Sequence, residues 1–490
     1  MKHKKILIVS IIGLCCLLGV YCPWPAGVRA ALTAGLPSDL WNPGKNTLTT
    51  AYPFPRADQT TYQMDLYLDA INRIVYGQSQ IKTINTSGRV LGELWLAIYP
   101  QAFQDPGSSP APSAAYAQGF SSGGIQIKQV KVNGVPSEFI TEDICMKVML
   151  PSDMLPEEEL TVDISWQAEV PRVAYRYGTA DGVFMLGHFY PTLNAMSDSG
   201  WCRPLNSPFG DPFCLSAASY LVRINLPQDY RLITSGELIA SLALDNGREN
   251  HLIKAELVRD FSLTACSRYE KLEQAEKNIT LKCFLPPDMQ AKGREIIKQA
   301  GQIVQYYNCL WGTYPYGELS VVVVPMQGFS GMEYAGVVYI SEDQLDHPGV
   351  VTLLAHEIAH QWWYGLVGND QYDEPWLDEG LAEYSATLYI NHVQGQDQAQ
   401  LSPGIAKRVN LDRALPDFVS DEQYRQVAYQ GGEDFWLALE QELGRDKVQK
   451  ILRSYLANYK HQLVTSQDLE RVINQEAHRD MSAFFAAWSL

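Results

Sequence analysis

The residues most able to do chemistry lie in the segment His356-Glu357-Ile358-Ala359-His360, an HExxH pattern. On a helix, side chains four residues apart share one face, so both imidazoles can reach one Zn²⁺ ion. Glu357 lies beside that face, where a carboxylate can hold a water molecule and take its proton as general base. Apolar residues flank the pattern, which favours a buried helix. The pattern therefore predicts a metal centre that activates water.

A third metal ligand is available downstream. A second helix with apolar periodicity is predicted after Pro375, and it carries Glu379 and Glu383. With Glu379 as ligand, the spacing is HExxH-x18-E. Two histidines and one carboxylate leave the fourth tetrahedral position of zinc for water, which is the arrangement of catalytic rather than structural sites. Glu383 lies one turn further on and can orient a ligand imidazole by accepting its other N–H, with a solvated helix carboxylate as the alternative.

The spacing, together with Trp376-Leu377-Asp378-Glu379-Gly380 around the third ligand, resembles the gluzincin aminopeptidases of the membrane alanyl aminopeptidase (aminopeptidase N) family. The resemblance implies one Zn²⁺ ion per chain and hydrolysis of the N-terminal peptide bond of peptides that have a free N-terminus. It also implies a saddle-like β domain packed on a thermolysin-like catalytic domain. The large C-terminal helical domain of the family is not expected, because the chain ends at Leu490.

A second family signature is usually Gly-x-Met-Glu-Asn, and here the chain has Ser330-Gly331-Met332-Glu333-Tyr334. The resemblance assigns Glu333 to the free α-amino group of the substrate, with Gly331 and Met332 lining the same cleft. A fixed carboxylate pairs with an ammonium group and so selects the end of a peptide. Tyr334 in place of Asn is a departure from the family, and a surface Glu beside a loop is the alternative for Glu333.

A third signature covers residues 424–432 and is similar to the family segment Tyr-x-x-Val-x-Tyr-x-x-Gly. In the family the second Tyr donates its O–H to the tetrahedral oxyanion, and this role maps onto Tyr429. A phenol is suited to it, because it donates one directed hydrogen bond to the developing negative charge. A packed core Tyr is the alternative.

One expected group is missing from the sequence. The β domain of the family usually supplies a Gln or Glu that assists the amine-binding carboxylate, and the stretch 185–191, where it is expected, has no carboxylate. His188 lies in this stretch, and a structural role is favoured for it over a role in the cleft. A gluzincin endopeptidase that needs no free N-terminus therefore stays open as an alternative. A non-catalytic zinc-binding scaffold is a more distant one, because neither Glu357 nor Tyr429 is needed merely to hold a metal.

The elements that must position these residues fall into two parts. Short alternating runs separated by turn residues predict an antiparallel β domain over 32–286, with strands near 62–68, 123–132, 219–226 and 232–244. Helical spacing over 289–310, a buried strand over 319–324 and helices near 435–443, 448–459 and 466–475 predict a mixed, mostly helical catalytic domain over 287–490. Residues 105–122 are rich in Gly, Ser and Pro and are predicted to form a flexible surface loop.

The net charge and the N-terminal segment indicate which partners and which cellular compartment to expect. The formal net charge of −17 argues against a nucleic-acid partner, because phosphate contacts need clustered Lys and Arg. Residues 1–31 combine basic residues, an apolar run over 6–21 and small residues, which is typical of a signal peptide or an N-terminal membrane anchor. We therefore expect an extracytoplasmic protein, secreted or membrane-anchored. Such a compartment permits disulfides, and Cys202 with Cys214 is the candidate pair, with free buried cysteines as the alternative.

Overall fold

The computed structural model describes residues 59–197, 200–396 and 409–490. The predicted signal peptide or anchor at 1–31, with its apolar run at 6–21, lies outside these residues. In the described ranges, no helix combines the length and the apolar character that crossing a bilayer requires.

The first part of the described chain consists of β-strands. The largest sheet has eight strands in the order β16-β17-β14-β1-β2-β8-β4-β5, and all its neighbouring strands are antiparallel except β1 and β14. The strands of this part are β1 (Thr61–Asp69), β2 (Ile74–Ile84), β3 (Leu91–Ala97), β4 (Gly124–Val132), β5 (Val135–Pro136), β6 (Phe139–Glu142), β7 (Cys145–Met154), β8 (Glu159–Glu169), β9 (Tyr177–Ala180), β10 (Val183–Leu186), β11 (Thr192–Leu193), β12 (Met196–Ser197), β13 (Gly200–Trp201), β14 (Ala218–Pro227), β15 (Arg231–Thr234), β16 (Glu237–Ala243), β17 (Arg248–Val258) and β18 (Leu263–Cys266). The predicted β-rich first part is therefore confirmed.

The burial of these strands follows their place in the sheet. β2 alternates between buried and half-buried residues, which is the pattern of a strand with one face on the core. β14 is buried at almost every position, because both of its faces are covered. The predicted strand at 232–244 is divided into β15 and β16, which belong to different sheets. Gly236, with φ of 87°, lies in the turn that separates them.

Most of residues 105–122 are exposed, as predicted for a surface loop, but the segment is anchored to the core. They contain a short 3₁₀ helix, Ser113–Ala115, and the side chains of Ala111, Ala115 and Tyr116 are buried in the core of the β part. The amide of Gly123 donates to the carbonyl of Phe103, which closes the base of the segment. Its apolar residues therefore fix it against the core, in spite of its Gly, Ser and Pro content.

The second part is built around a five-stranded sheet in the order β19-β20-β21-β23-β22. Its strands are β19 (Glu270–Glu276), β20 (Ile279–Leu285), β21 (Glu318–Val324), β22 (Gly331–Tyr334) and β23 (Val337–Ser341), and a separate short pair joins β24 (Gly368–Asn369) to β25 (Leu463–Val464). β19 and β20 precede the predicted boundary at 286, yet they belong to this sheet. Leu281, Cys283 and Leu285 of β20 pack in the same core as the helices that follow, which explains why these strands join the second part.

Helices make up most of the remainder. They are α1 (Gln290–Trp311), α2 (Val350–Ala359), α3 (Trp376–Val393), α4 (Asp421–Tyr424), α5 (Gly432–Leu443), α6 (Arg445–Tyr459), α7 (Ser466–Ala477) and α8 (Ser482–Ala486), with a π-helix at Arg425–Gly431 and further 3₁₀ helices at Tyr99–Phe103, Pro287–Met289, Glu342–Asp346 and Leu415–Asp417. The helical spacing in the sequence thus corresponds to observed helices, and the mixed, mostly helical second part is confirmed.

Two buried residues of the β part hold the second part in place. The guanidinium group of Arg259 donates to the carbonyls of Leu215, Tyr364, Leu366 and Gln462. Its neighbour Asp260 accepts hydrogen bonds from the Tyr364 hydroxyl and, at 3.1 Å, from the amide of Ala335. Because these contacts reach both the segment after α2 and the end of β22, they fix the two elements that carry the site.

Candidate active site

Helix α2 positions the HExxH pattern at its C-terminal end. His356 and Glu357 lie in its last turns, and His360 directly follows the last helical residue with right-handed helical backbone angles. Both imidazoles therefore lie on one face, as the four-residue spacing predicts. Leu354 and Ile358 on the apolar face are fully buried in the core, which anchors the helix.

The predicted metal ligands converge on one point. The Nε2 atoms of His356 and His360 are 3.1 Å apart, and Oε2 of Glu379 lies 3.2 Å from the first and 3.5 Å from the second. All three side chains are buried. The structure thus brings the three residues of the HExxH-x18-E pattern together, as the sequence predicts.

The hydrogen bonds behind the imidazoles show what the three residues can hold. Nδ1 of His356 lies 3.0 Å from Oε2 of Glu383, and Nδ1 of His360 lies 2.9 Å from the carbonyl oxygen of Trp363. Since both partners only accept, each Nδ1 carries the hydrogen, and in its neutral form each ring presents its Nε2 lone pair to Oε2 of Glu379. That oxygen is itself buried without a hydrogen-bond partner. Three converging lone pairs with no donor fit a cation, and this donor set is one that Zn²⁺ takes.

The pKa values of the same three side chains show that positive charge is favoured between them. Burial opposes protonation of His360, but the charges of Glu333 and Glu379 raise its pKa to about 9. Burial likewise opposes protonation of His356, but the Glu379 carboxylate close to it and the hydrogen bond to Glu383 raise its pKa well above the ordinary value. For Glu379, burial alone would raise the pKa, yet the two histidines close to it lower it to about 2.

A close helix crossing places Tyr429 beside the metal ligands. A Cβ on Gly380 of α3 would lie 2.5 Å from the Cα of Gly432, so the two backbones touch at this point. The π-helix Arg425–Gly431 comes directly before the crossing. The Tyr429 hydroxyl donates to Oε1 of Glu379 at 2.7 Å, and its ring is stacked on that of His356 with centroids 5.5 Å apart. Tyr429 therefore lies close to the metal ligands, as its predicted role requires.

Glu357 faces the same space. Its carboxyl group is buried, and Oε2 makes no hydrogen bond with the described residues. Burial raises the pKa of Glu357 to about 7. The two histidines lower this pKa, and the like charge of Glu379 raises it. A carboxylate with a pKa near neutrality is suited to general base catalysis. Gly331 lies directly against Glu357, because a Cβ there would be 2.7 Å from Cγ of Glu357 and closer still to the carboxyl group.

Glu333 is a buried strand residue and not the surface Glu of the alternative interpretation. It lies in β22, which pairs with β23, and it is 5% exposed. Gln371 bridges it to α3, because its side-chain amide lies 3.3 Å from Oε1 of Glu333 and 2.8 Å from Oδ2 of Asp378. Burial raises the pKa of Glu333 well above the ordinary value, and the charge of Asp211 adds to this, while His360 works in the opposite direction. The neighbouring Met332 is buried in the core formed with β21 and β23.

Tyr334, the departure from the family signature, fills space between the two parts. Its ring makes an edge contact with Tyr339, with centroids 5.1 Å apart, and its hydroxyl reaches Gly187 of the β part. There is no room for a side chain at position 187, since a Cβ would overlap the Tyr334 hydroxyl. The larger residue at 334 is therefore matched by a glycine opposite.

The β part contributes a carboxylate that the sequence analysis did not find. Asp211 is buried and paired with the fully buried Arg176, which also donates to the Tyr99 hydroxyl at 2.8 Å. Its charge raises the pKa of Glu333 and of Glu357, so it belongs to the electrostatic environment of the site. The turn Gly210-Asp211-Pro212 is visible in the sequence, but it lies outside the stretch 185–191.

The stretch 185–191 itself is part of the packing. The ring of His188 is stacked on Phe213 with centroids 3.6 Å apart. Burial and then the charge of Arg176 hold its pKa well below the ordinary value, so the ring is neutral. This agrees with the structural role favoured for His188. The disulfide between Cys202 and Cys214 is formed as predicted, close to this region.

Comparison with known proteins identifies the second part. Residues 295–488 match the peptidase family M1 domain. The chain is 27% identical to leucine aminopeptidase 2 of Ajellomyces capsulatus over 198 residues, which covers 35% of this chain and 31% of that protein. It is 20% identical to human endoplasmic reticulum aminopeptidase 2 over 381 residues, which covers 70% of this chain and 38% of that protein. The chain thus spans about a third of the length of these relatives.

Among solved structures, the M1 zinc metallopeptidase from Deinococcus radiodurans superposes with a TM-score of 0.61 at 16% identity. The superposition covers 88% of this chain and 93% of the other, so the fold extends across both parts. The resemblance read from the sequence motifs is confirmed over residues 295–488, which match the peptidase family M1 domain.

Proposed function

We propose that the chain is a zinc-dependent aminopeptidase that removes the N-terminal residue of peptides by hydrolysis. The observation that carries the proposal is the convergence of His356, His360 and Glu379 beside the buried carboxyl group of Glu357, with Glu333 buried next to His360. The family M1 domain and the aminopeptidase relatives support the same activity.

Each residue of the site has a part in the reaction. Zn²⁺, held by the two histidines and Glu379, supplies polarisation of the scissile carbonyl and a lowered pKa for water. Glu357 takes a proton from the attacking water and returns it to the leaving amine. Tyr429 turns its hydroxyl from Glu379 to the oxyanion of the tetrahedral intermediate. Glu383 and the carbonyl of Trp363 keep both imidazoles in the tautomer that presents Nε2.

Glu333 favours aminopeptidase activity over endopeptidase activity. It is a buried carboxylate near other buried carboxylates, and the charge of Asp211 disfavours its ionisation further. An ammonium group bound here offsets these like charges, whereas an internal peptide segment brings no charge. The free N-terminus of a substrate is therefore the group that this position recognises best.

The proposal is tested by hydrolysis of one short peptide with its N-terminus first free and then acetylated, with and without a zinc chelator. We expect release of the first residue from the free peptide only, and loss of this release with the chelator. Equal cleavage of both forms would show a gluzincin endopeptidase and remove the role of Glu333. Absence of cleavage of either form, with zinc bound, would favour a zinc-binding scaffold.

We further propose that the chain acts outside the cytoplasm. The basic and apolar segment at 1–31 supports export, and the disulfide between Cys202 and Cys214 suits an oxidising compartment. This is tested by fractionating the cells that produce the protein and sequencing its N-terminus in the fraction that contains it. A new N-terminus near Ala31 and a soluble protein would show a cleaved signal, and an intact N-terminus in the membrane fraction would show an anchor through 6–21. A cytoplasmic protein that starts at Met1 would contradict the proposal.

A further inference from the structure

One cavity of the protein has none of the three metal ligands in its lining. Its volume is about 750 Å³, and both parts of the chain line it. The β part contributes the β1–β2 turn with Arg73, and the segment with Arg172. The second part contributes residues that follow the C-terminal ends of β21 and β23, among them Gln327 and Glu342. A cavity of this size is within the range of small-ligand sites, and the proposed reaction does not use it.

Two arginines at this cavity have no side-chain partner among the residues that the structure describes. The side chains of Arg73 and Arg172 form no hydrogen bond or ion pair with the described residues, and Nε of Arg73 is buried in addition. The guanidinium group has five donors in a planar fork that matches a carboxylate, and leaving a buried donor unsatisfied costs free energy. Arg73 is half-buried and Arg172 is exposed. Their chemistry points to an anionic group on the occupant.

The cavity also has an acidic side. Asp181, Glu342 and Asp343 line it. Burial and then the like charge of Asp181 raise the pKa of Glu342, and Arg268 offsets only part of this. A cation close to Asp181 and Glu342 would relieve their repulsion. An occupant with one anionic and one cationic end therefore fits better than a purely anionic one.

We propose that this cavity binds an amino acid or short peptide in its zwitterionic form, with the carboxylate at Arg73 and Arg172 and the ammonium group at the acidic side. None of the three metal ligands lines this cavity. Ser341 donates its hydroxyl to the carbonyl of Met326 at 2.6 Å, and the amide of Gln327 donates to the carbonyl of Ala174 at 2.8 Å. These bonds make the loop before Gly331 a wall of the cavity.

The test is a calorimetric titration of trialanine into the zinc-loaded Glu357→Gln variant, which does not consume the peptide. We expect two molecules bound per chain, one at Glu333 and one in the cavity. Combining Arg73→Gln and Arg172→Gln in this background should reduce the number to one. The matched control is Arg294→Gln, because Arg294 is an exposed arginine of α1 that does not line the cavity, and it should keep two.

Two further arms identify the ligand chemistry. Asp181→Asn is suited to the left-handed backbone at this position, where φ is 49°, and we expect it to weaken the cavity site about tenfold. Inorganic phosphate should bind the cavity more weakly than trialanine. The proposal is overturned if the double arginine variant, folded by thermal unfolding, still binds two molecules, or if phosphate binds more tightly than trialanine. If the proposed active site fails to bind substrate, one site remains and still depends on the arginines, so the two failures are distinguishable.

Discussion

Gly331 provides the most specific test of how the site is built. A Cβ at this position would lie 2.7 Å from Cγ of Glu357, whereas carbon atoms in contact are about 3.5–4.0 Å apart. The backbone of Gly331 cannot withdraw easily, because it is paired with Ile340 in the sheet. In Gly331→Ala the carboxyl group of Glu357 therefore has to move by about 1 Å.

A displacement of this size is enough to impair the reaction. Misplacing a catalytic group by about 1 Å costs on the order of 100-fold in rate. We therefore expect kcat of Gly331→Ala to fall about 100-fold or more, with zinc content unchanged, because the three atoms nearest to the new methyl group all belong to Glu357.

The assay is kcat and KM on a peptide with a free N-terminus, with zinc content and thermal unfolding measured on the same samples. Gly317→Ala is the matched control, because a Cβ at Gly317 meets no atom within 4 Å, and it should retain wild-type activity. A Gly331→Ala enzyme with kcat within threefold of the wild type would show that Glu357 is not held against this backbone during the reaction.

Three further predictions concern single side chains. Glu333→Gln removes the partner of the substrate ammonium, which costs about 2–5 kcal/mol for a buried charge pair, so kcat/KM for the free peptide should fall at least about 30-fold; an unchanged kcat/KM would exclude the amine-binding role. Tyr429→Phe should lower kcat about 100- to 1,000-fold while KM and zinc content stay close to wild type, and a change confined to KM would contradict the oxyanion role. Burial raises the pKa of Glu433 from 4.5 to about 7, so the unfolded chain loses this proton at lower pH than the folded protein, and the free energy of unfolding falls as the pH rises between these values. Glu433→Gln should therefore unfold at a higher temperature than the wild type at pH 8 and at a similar temperature at pH 4, with a gain of up to about 3 kcal/mol, and a gain that is equal at both pH values would contradict the assigned pKa.

The metal ligands could be predicted because their spacing is local. His356 and His360 share one face of α2, and Glu379 and Glu383 lie one turn apart on α3. Helical periodicity similarly predicted most of the helices of the second part. In these cases neighbours in sequence are neighbours in space, so a pattern carries the geometry.

The contacts that the sequence could not predict join distant segments. The crossing of Gly380 and Gly432 brings Tyr429 to Glu379, and no periodicity shows that two glycines will touch. The pairing of Asp211 with Arg176 likewise depends on how the strands of the β part are arranged. The joining of β19 and β20 to the second sheet is of the same kind, because a parallel partner for β20 follows only after α1.

The central claim is that Glu357 acts as general base beside a zinc ion held by His356, His360 and Glu379. Its most direct test is Glu357→Gln, with zinc stoichiometry and peptide turnover measured on one preparation. We expect one zinc ion per chain and a loss of turnover of about 100- to 10,000-fold or more, because Gln keeps the shape of the side chain but cannot accept the proton. Near-full turnover with zinc bound would contradict it.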